Sequence, residues 1–482
     1  MKTRNILSLL LLLTVSLAAC QAAPTDPIDD NVTSGDTSST ESTADDTLPP
    51  PDYTNDYDGR GFTIVTTSQL QYIYADEMNG SAVNDAMYER DRMTEEQLGV
   101  DIGYYVAGSR VEDVYPVIQS TVMAGDAAYD LGVVHVNMNL NNYVSENLVL
   151  DWNVMPHVDF RNPWWNPNII DSLSINGKAP FAAGSIFMDE TVFLLFNKEL
   201  ATDLGLGSLY DYVYDGSWTW DKLAEISAEV MSDINGDSVY DETDRYGTAI
   251  YLSGSSWLLR NIPASCGEMI WGKSDDGYAL AIDSEKMQTI IEKTTALFNG
   301  GGGYMYTDSS TQDVSAQVAL FNQGSYLTYF VSVSNAAAAF NQLDFDYGIL
   351  PLPKYDENQK EYYSLSWSPN LLVPATADPD FTGAVSEWLC YYGYTLVRPE
   401  FFDSLLSVRF AQDEESVEML DIIFGNIVYD PAMNFKSTGF YSFADAMIMN
   451  NNTDFASYYQ SKLSAENGYI DNLNQSFADF SN

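Results

Sequence analysis

The sequence is short of the residues on which several functional classes depend. Its 482 residues include 21 Lys and Arg, 2 His and 3 Cys, against 69 Asp and Glu. Nucleic-acid binding requires clustered Lys and Arg, so a formal net charge of -48 argues against a nucleic-acid partner. Three cysteines exclude a disulfide-dense scaffold, and two histidines, His135 and His157, argue against a multi-histidine metal centre.

Apolar residues, by contrast, are plentiful. They make up 45% of the chain, and aromatic residues alone make up 13%. This composition can bury large cores and differs from that of a disordered acidic protein. With roughly 150 residues per domain as a guide, the length corresponds to two or three domains.

The N-terminus has the features of a secretion signal. Lys2 and Arg4 precede an apolar run, residues 6–17, that is too short to cross a hydrocarbon core of about 30 Å. The run ends in Leu17-Ala18-Ala19-Cys20, which resembles the signal of bacterial lipoproteins, whose cysteine receives lipid and becomes the mature N-terminus. We therefore predict a signal peptide over residues 1–19 and lipidation at Cys20. The alternative is an ordinary signal peptide with a chance cysteine.

Residues 20–59 form a predicted linker. Acidic, Ser, Thr and Pro residues dominate it, and it contains no basic residue. Such a segment buries too little apolar surface to offset its ordering entropy, and charge repulsion together with proline keeps it extended. No later stretch is long and apolar enough for a transmembrane helix. We expect the lipid on Cys20 to be the membrane attachment, holding the globular body at the extracellular face of the cell membrane.

From Gly61 onward, strand and helix patterns alternate. The predicted elements, in chain order, are a strand over 62–67, a helix over 84–98, a strand over 100–105, a helix over 111–123 and a strand over 129–134. We expect Asn84 to cap the first helix and Gly99 to end it. The alternation predicts a parallel sheet, in which ligands lie beyond the carboxyl ends of the strands. The loops at residues 68–72 and 135–141 are therefore expected to face a cleft.

A metal-binding loop is the strongest local motif. Oxygen-bearing side chains recur at the spacing with which an EF-hand-type loop binds Ca²⁺, at positions 1, 3, 5, 9 and 12 of residues 233–244: Asp233, Asn235, Asp237, Asp241 and Asp244. The carbonyl of Val239 would supply the ligand at position 7. Ser238 replaces the usual glycine, and Asp244 replaces Glu as in the calcium loops of dockerins, which this loop resembles. We predict a structural Ca²⁺ ion; the alternative is an acidic turn.

Sequence signatures of common enzyme classes are missing. The chain has no G-x-S-x-G, H-E-x-x-H or Walker A motif. Asp189-Glu190 is the most noticeable acidic pair, but neighbours on a strand point to opposite faces and so cannot both act in one cleft. Cys266 and Cys390 either pair or lie buried as apolar thiols, and we favour the second. We predict no enzymatic activity and assign no catalytic residue.

Aromatic side chains offer a different chemistry. Most of the 9 Trp, 33 Tyr and 22 Phe are expected to pack in cores, but Trp257 and Trp367 lie among small polar residues typical of loops. Sugars present apolar C–H faces and polar edges, so exposed tryptophans beside polar groups suit them. We expect these two tryptophans in a cleft. His135, at the end of the third strand, either touches a ligand or is a hydrogen-bonded loop residue.

Several segments, taken in their order along residues 60–440, resemble the extracellular solute-binding proteins of ABC importers, family 1, the carbohydrate-type class common in Gram-positive bacteria. The matching segments are residues 84–90, 176–178, 196–200, 216–221, 233–247, 321–324, 347–356 and 414–421. Each is weak alone, and their order and spacing give the match its specificity.

The resemblance implies an α/β fold of two lobes that close on a ligand about a hinge, as in type II periplasmic binding proteins. The implied first lobe comprises residues 60–184 and 344–373. The implied second lobe comprises residues 185–343 and 374–482, including the calcium loop. Hinge segments are implied near residues 181–189 and 345–351.

The resemblance also places residues at the cleft. By family position, Trp257 matches an aromatic residue that stacks on sugar. The implied ligand-binding residues lie on crossing segments or on cleft loops: Tyr72, His135, Asn137, Asp189, Glu190, Trp257, Tyr329 and Trp367. Family members also bind peptides and metal chelates, so the solute is left open.

The implied function is capture of a carbohydrate, an oligosaccharide, by a monomeric substrate-binding component that delivers it to an ABC permease. Two alternatives remain. One is a cell-surface, calcium-dependent carbohydrate-active enzyme, which would release a product. The other is a solute sensor that signals to a membrane receptor.

Overall fold

The computed structural model describes residues 48–136, 138, 140–252, 256–275, 277–307, 314–340, 342–407 and 414–481. The predicted signal peptide, the lipidation site Cys20 and the linker up to residue 47 lie outside these residues. Within the described part of the chain, no helix combines the length and apolar character needed to cross a membrane.

Strands and helices alternate along most of the described chain. The strands are β1 (Arg60–Thr66), β2 (Val100–Val106), β3 (Leu131–Val134), β4 (Val192–Asn197), β5 (Tyr246–Tyr251), β6 (Trp271–Ser274), β7 (Gly277–Leu280), β8 (Gly303–Tyr306), β9 (Tyr326–Ser332), β10 (Tyr347–Leu350), β11 (Ser364–Leu365), β12 (Asn370–Leu372) and β13 (Ile427–Val428). The α-helices are α1 (Ala82–Leu98), α2 (Val114–Met123), α3 (Leu140–Ser145), α4 (Pro167–Ser172), α5 (Lys198–Asp203), α6 (Tyr210–Tyr214), α7 (Trp220–Val230), α8 (Asn261–Ser265), α9 (Ser284–Phe298), α10 (Val314–Asn322), α11 (Val333–Phe340), α12 (Pro379–Tyr392), α13 (Arg398–Ser407), α14 (Glu414–Gly425), α15 (Pro431–Asn434), α16 (Phe443–Met449) and α17 (Phe455–Asp479).

The first lobe is built on a four-stranded sheet of order β12-β3-β1-β2. As predicted, β1, β2 and β3 are parallel, and β12 joins β3 from the opposite direction. Helix α1 ends at Gly99, whose left-handed backbone (φ 60°) suits glycine, so this prediction is confirmed. The predicted N-cap Asn84 is wrong, because the helix begins two residues earlier and Ser81 occupies the capping position.

The second lobe is built on a five-stranded sheet of order β10-β4-β9-β5-β8. Strands β5, β8 and β9 are parallel, and β4 runs antiparallel to both of its neighbours, β9 and β10. All residues of β4, β5 and β9 are buried. A central strand covered on both faces is predominantly apolar, which explains the run of Val, Phe and Leu in β4.

The chain passes between the two sheets along two segments that lie side by side. The first runs through Asp189 and Glu190 into β4, and the second runs through Trp367 and Ser368 into β12. The amide of Trp367 donates to the Glu190 carbonyl at 2.7 Å, and the Glu190 amide donates to Ser368 Oγ at 2.9 Å. The described structure therefore places the second crossing at residues 365–370.

The predicted domain boundaries need two corrections. Residues 344–373 were assigned to the first lobe, but β10 pairs with β4 in the second sheet, and only β12 joins the first. Residues 374–482 were assigned to the second lobe, but α12 packs against α1 of the first. Helix α17 contacts both α3 of the first lobe and α9 of the second. Both errors have one cause, because these partners are far apart in sequence and local patterns do not report them.

Arg90, on α1, holds three parts of the first lobe together. Its fully buried guanidinium pairs with Asp91 at 2.7 Å and donates to the Tyr104 hydroxyl at 2.9 Å. It also donates to the carbonyl of Ile73 at 3.0 Å and to that of Ile186. Ile73 ends the loop after β1, and Ile186 precedes the first crossing. One side chain thus fixes the cleft loop and the start of the hinge to the same helix.

We predict that Arg90→Met lowers the free energy of unfolding by about 3–5 kcal/mol, because Asp91 would be left buried without its counter-charge. Urea unfolding monitored by circular dichroism measures this change. Arg161→Met is the matched control, since the Arg161 side chain is 90% exposed in its pair with Asp159 and exposed pairs contribute at most about 1 kcal/mol. Equal losses in the two variants would contradict the role assigned to Arg90.

Candidate functional site

The carboxyl ends of the parallel strands define the candidate cleft. In the first sheet, β1 connects to β2 on one side and β3 lies on the other, so the chain leaves β1 and β3 in opposite directions. Such a switch point opens a crevice at the strand ends, where ligands bind in open α/β sheets. In the second sheet, the carboxyl ends of β5 and β9 lie at the same edge as the start of β4. The two crossing segments run between these edges.

The two tryptophans predicted to lie in the cleft form an edge-to-face pair beside the second crossing segment. The rings of Trp257 and Trp367 lie 5.2 Å apart at an interplanar angle of 64°. Trp257 is half-buried, whereas Trp367 is only 3% exposed and belongs to the core. Trp257 therefore retains surface for a ligand, and Trp367 supports it from behind.

Asn261 fixes both tryptophans. Its fully buried amide accepts a hydrogen bond from Trp367 Nε1 at 3.3 Å and donates to the carbonyls of Trp257 at 3.3 Å and Leu258 at 3.2 Å. The aromatic platform is thereby joined to the second crossing segment, of which Trp367 is part. Sequence reasoning missed Asn261 because the residue, on the short helix α8, carries no motif.

The carboxylate of Glu190, on the first crossing segment, lies at the N-terminus of α11. Its carboxylate accepts hydrogen bonds from the backbone amide of Ser334 at 3.1 Å and from Ser334 Oγ at 3.1 Å. A carboxylate is favoured at a helix N-terminus, where the peptide dipoles present positive charge. Burial nevertheless dominates and raises the pKa of Glu190 to about 7, with the serine hydrogen bonds opposing the shift.

The side chain of Asp189 has different partners from that of its neighbour Glu190. It accepts hydrogen bonds from Ser368 Oγ at 3.0 Å and from the Tyr429 hydroxyl at 3.4 Å. Burial raises its pKa, against the hydrogen bonds and the charge of Arg398. The side chain lines a cavity of about 240 Å³ shared with Trp164, Trp165, Asn166, Tyr394 and Arg398 among others.

His135 follows β3 at the edge of the first sheet and is half-buried. Its Nδ1 lies 2.6 Å from the carbonyl of Val136, which assigns the proton to Nδ1 and leaves Nε2 as an acceptor. Burial lowers the pKa of His135, so the ring is neutral at neutral pH. It therefore suits a hydroxyl donor and not an anion.

The other predicted ligand residues fall into two groups. Tyr329 is buried in the middle of β9, with Phe321 packed against it at 5.8 Å, so it is part of the core. Burial raises its pKa well above the ordinary value. The side chain of Tyr72 and the whole of Asn137 lie outside the described residues.

The predicted calcium loop, residues 233–244, forms a chain of turns. Asp233 accepts the amides of Gly236 at 2.7 Å and Ser238 at 2.9 Å, and Asp244 accepts the amide of Ile234 at 2.8 Å. Ser238 adopts the left-handed conformation (φ 67°) that glycine provides in such loops. Among the described residues, no three Asp, Glu, His or Cys side chains converge as ligands for a metal ion.

Cys266 and Cys390 are both buried and free. The interpretation of these residues as buried thiols is confirmed, and burial raises the pKa of both. Raised thiol pKa values leave little thiolate, so neither cysteine has the character of a nucleophile.

Comparison with known proteins identifies the fold. No protein-family model and no curated protein sequence matches the chain. Solved structures do match. The GacH receptor of Streptomyces glaucescens, determined without ligand and with acarbose, has 15% identity and a TM-score of 0.55 over 86% of this chain and 98% of that one. A sugar transporter from Rhizobium etli in an open conformation has 14% identity and a TM-score of 0.59 over 87% and 99%.

The maltose/maltodextrin-binding domain MalE from Bdellovibrio bacteriovorus, bound to maltotriose, has 13% identity and a TM-score of 0.54 over 85% and 99%. These likenesses cover nearly the whole of each neighbour. The two-lobe fold implied by the sequence resemblance is therefore confirmed.

We predict that Glu190→Gln flattens the pH dependence of stability between about pH 4.5 and 7. The folded-state pKa of Glu190 is raised from 4.5 to about 7, so the parent chain binds a proton more tightly when folded. Its unfolding free energy should therefore fall, relative to that of the variant, as the pH rises through this range. Urea unfolding at a series of pH values measures the difference.

Asp101→Asn, at an exposed position on β2, controls for the loss of one negative charge from a strongly acidic chain. A difference between the Glu190→Gln variant and the parent that stays constant from pH 4.5 to 7 would contradict the assigned pKa.

Proposed function

We propose that the chain is the substrate-binding component of an ABC importer and captures a carbohydrate, an oligosaccharide, between its two lobes. The fold supports this proposal, since GacH, the Rhizobium etli transporter and MalE share it and their structures are described with acarbose, as a sugar transporter and with maltotriose. In this proposal the protein acts as a monomer on the extracellular face of the membrane, held by lipid on Cys20, and its partner is the permease.

The observation that carries the proposal is the half-buried Trp257 held edge-to-face on the buried Trp367. A sugar ring offers one apolar face to an aromatic platform, while its hydroxyl edges need polar partners. Glu190 and His135 supply such partners on the edges of the second and first sheets. Because the platform is joined to one crossing segment and Glu190 to the other, a bound ring would contact both hinge segments at once.

The same geometry favours capture over hydrolysis. A glycosidase needs two carboxyl groups that face one scissile bond. The side chains of Asp189 and Glu190 instead have separate partners, Tyr429 for Asp189 and Ser334 for Glu190. Product formation would support the alternative of a calcium-dependent enzyme. A sensor role would be supported by a signal through a membrane receptor instead of uptake through a permease.

We predict that saccharide binding stabilises the soluble chain Gln21–Asn482. A ligand at 100 times its Kd should add about 2.7 kcal/mol to the free energy of unfolding. Thermal unfolding against maltose, maltotriose, acarbose, D-mannitol and cello-, xylo- and manno-oligosaccharides identifies the class, and calorimetry measures Kd. Trp257→Ala should weaken binding by about tenfold or more, because a buried aromatic contact is lost.

Trp388→Phe is the matched control, since Trp388 is buried against Tyr391 and Tyr392 in the first lobe. It should lower Tm without changing Kd. Absence of a shift with every saccharide would contradict carbohydrate capture, and cleavage products detected by mass spectrometry would support the enzyme instead.

Calcium binding by residues 233–244 stays a prediction. If the loop rearranges around Ca²⁺, millimolar CaCl₂ should raise Tm relative to EDTA, with an affinity of roughly 10⁻⁴–10⁻³ M. Asp233→Asn combined with Asp241→Asn should abolish the rise, whereas Asp101→Asn should keep it. A rise that survives in the double variant would place the effect outside this loop.

A further inference from the structure

Three side-chain oxygens at the cleft edge of the first sheet have no partner. They are Thr66 Oγ1, Thr67 Oγ1 and Asn370 Oδ1, all on residues without exposed surface, and none has a hydrogen bond within the described part of the chain. Buried polar atoms are nearly always hydrogen-bonded, because leaving one unpaired costs its full desolvation penalty. The missing partner of each atom is then either a buried water molecule or a group from outside the chain.

Thr67 and Asn370 lie on the same face of the sheet. Asn370 is level with Val134 on β3, and Gly132 is level with both Val65 and Leu372. A side chain on Gly132 would meet Leu372 at 2.6 Å and Val65 at 3.6 Å, so these residues share one face. Two residues further on, the same face carries Thr67, Val134 and Asn370. Thr66 points to the other face.

Thr67, Val134 and Asn370 lie at the switch point of the first sheet. Thr67 extends β1 and Asn370 begins β12, with the end of β3 between them, so the two oxygens flank the crevice where the chain leaves β1 and β3. Two strand spacings separate their backbones, about 9.6 Å. His135 follows Val134 in the same crevice and offers Nε2 as an acceptor.

From this juxtaposition we infer that Thr67 contacts the solute and determines specificity. Its hydroxyl group forms a hydrogen bond with one hydroxyl group of the captured solute, and Asn370 Oδ1, across the crevice, accepts a hydrogen bond from a second solute hydroxyl group. The inference rests on the proposed function and extends it to the first lobe. Thr67, Asn370 and His135 are all uncharged, so contacts with these three residues favour neutral, hydroxyl-rich solutes.

The two oxygens are covered in the present conformation. Contact with a solute therefore requires the groups that cover Thr67 and Asn370 to move, and the inference assigns this movement to opening of the two lobes. The alternative partner is a permanently bound water molecule, which would satisfy the same atoms in the empty protein. The two partners can be distinguished by removing the Thr67 hydroxyl group. Loss of a bound water molecule would lower the stability of the empty protein, whereas loss of a solute contact would lower the affinity for the solute.

The test compares Thr67→Val with Thr67→Ser in the soluble chain Gln21–Asn482. Valine keeps the shape of threonine and removes the hydroxyl, whereas serine keeps the hydroxyl and removes a methyl group. Tm of the empty protein and Kd for the saccharide panel above are measured for both. Thr66→Val and Thr248→Val are matched controls, because each also removes a buried, unpartnered hydroxyl, on the other face of β1 and in the second sheet.

The expected result has opposite signs in the two measurements. Thr67→Val should keep or raise Tm and weaken saccharide binding by at least about tenfold, the equivalent of one hydrogen bond. Thr67→Ser should lower Tm and keep the affinity within about threefold, and both controls should keep the parental affinity.

A fall in Tm for Thr67→Val with unchanged affinity would identify a structural water and overturn the inference. Equal loss of affinity in Thr66→Val would show a general effect of the strand and would also overturn it. If the parent chain binds no saccharide, the proposed function fails and the inference fails with it. Binding that Thr67→Val retains contradicts the inference alone.

Discussion

The backbone hydrogen bond from Trp367 to Glu190 is the constraint around which the molecule is arranged. It fastens together the two segments by which the chain passes between its sheets. Each segment contributes a side chain to the candidate site, because Trp367 packs against Trp257 and the Glu190 carboxylate reaches the start of α11. The candidate cleft and the crossing segments consequently share the same few residues.

Carboxylates with restricted access to solvent have specific hydrogen-bond donors. Asp91 is buried, Asp189 and Glu190 are half-buried, and each of these three carboxylates accepts at least two hydrogen bonds. Asp91 is held by Arg90, Glu190 by Ser334, and Asp189 by Ser368 and Tyr429. Hydrogen bonds offset part of the desolvation cost but leave the pKa values of Asp189 and Glu190 raised. In contrast, Thr67, Asn370 and His135 at the edge of the first sheet are neutral.

Local sequence patterns predicted the first sheet well, since β1 to β3 and the end of α1 depend on short-range periodicity and on Gly99. They failed where partners are distant. Strand β10 joins β4 across about 150 residues, so the position of the second crossing was invisible to them. Tyr329 was expected in the cleft, yet it lies on a central strand whose two faces are both covered. Asn261 and Ser334 carry no motif at all, and only the fold brings them to the site.

Helix α17 also connects the lobes, because it packs against α3 of the first lobe and α9 of the second. Its first turn bonds to Gln288 of α9, and just beyond its end Ser481 bonds to Asn147 of the first lobe. A change in the angle between the lobes cannot leave both attachments as they are. If the lobes rotate about the crossing segments, one of these two attachments has to shift, so such a motion would include sliding along a helix as well as rotation at the hinge.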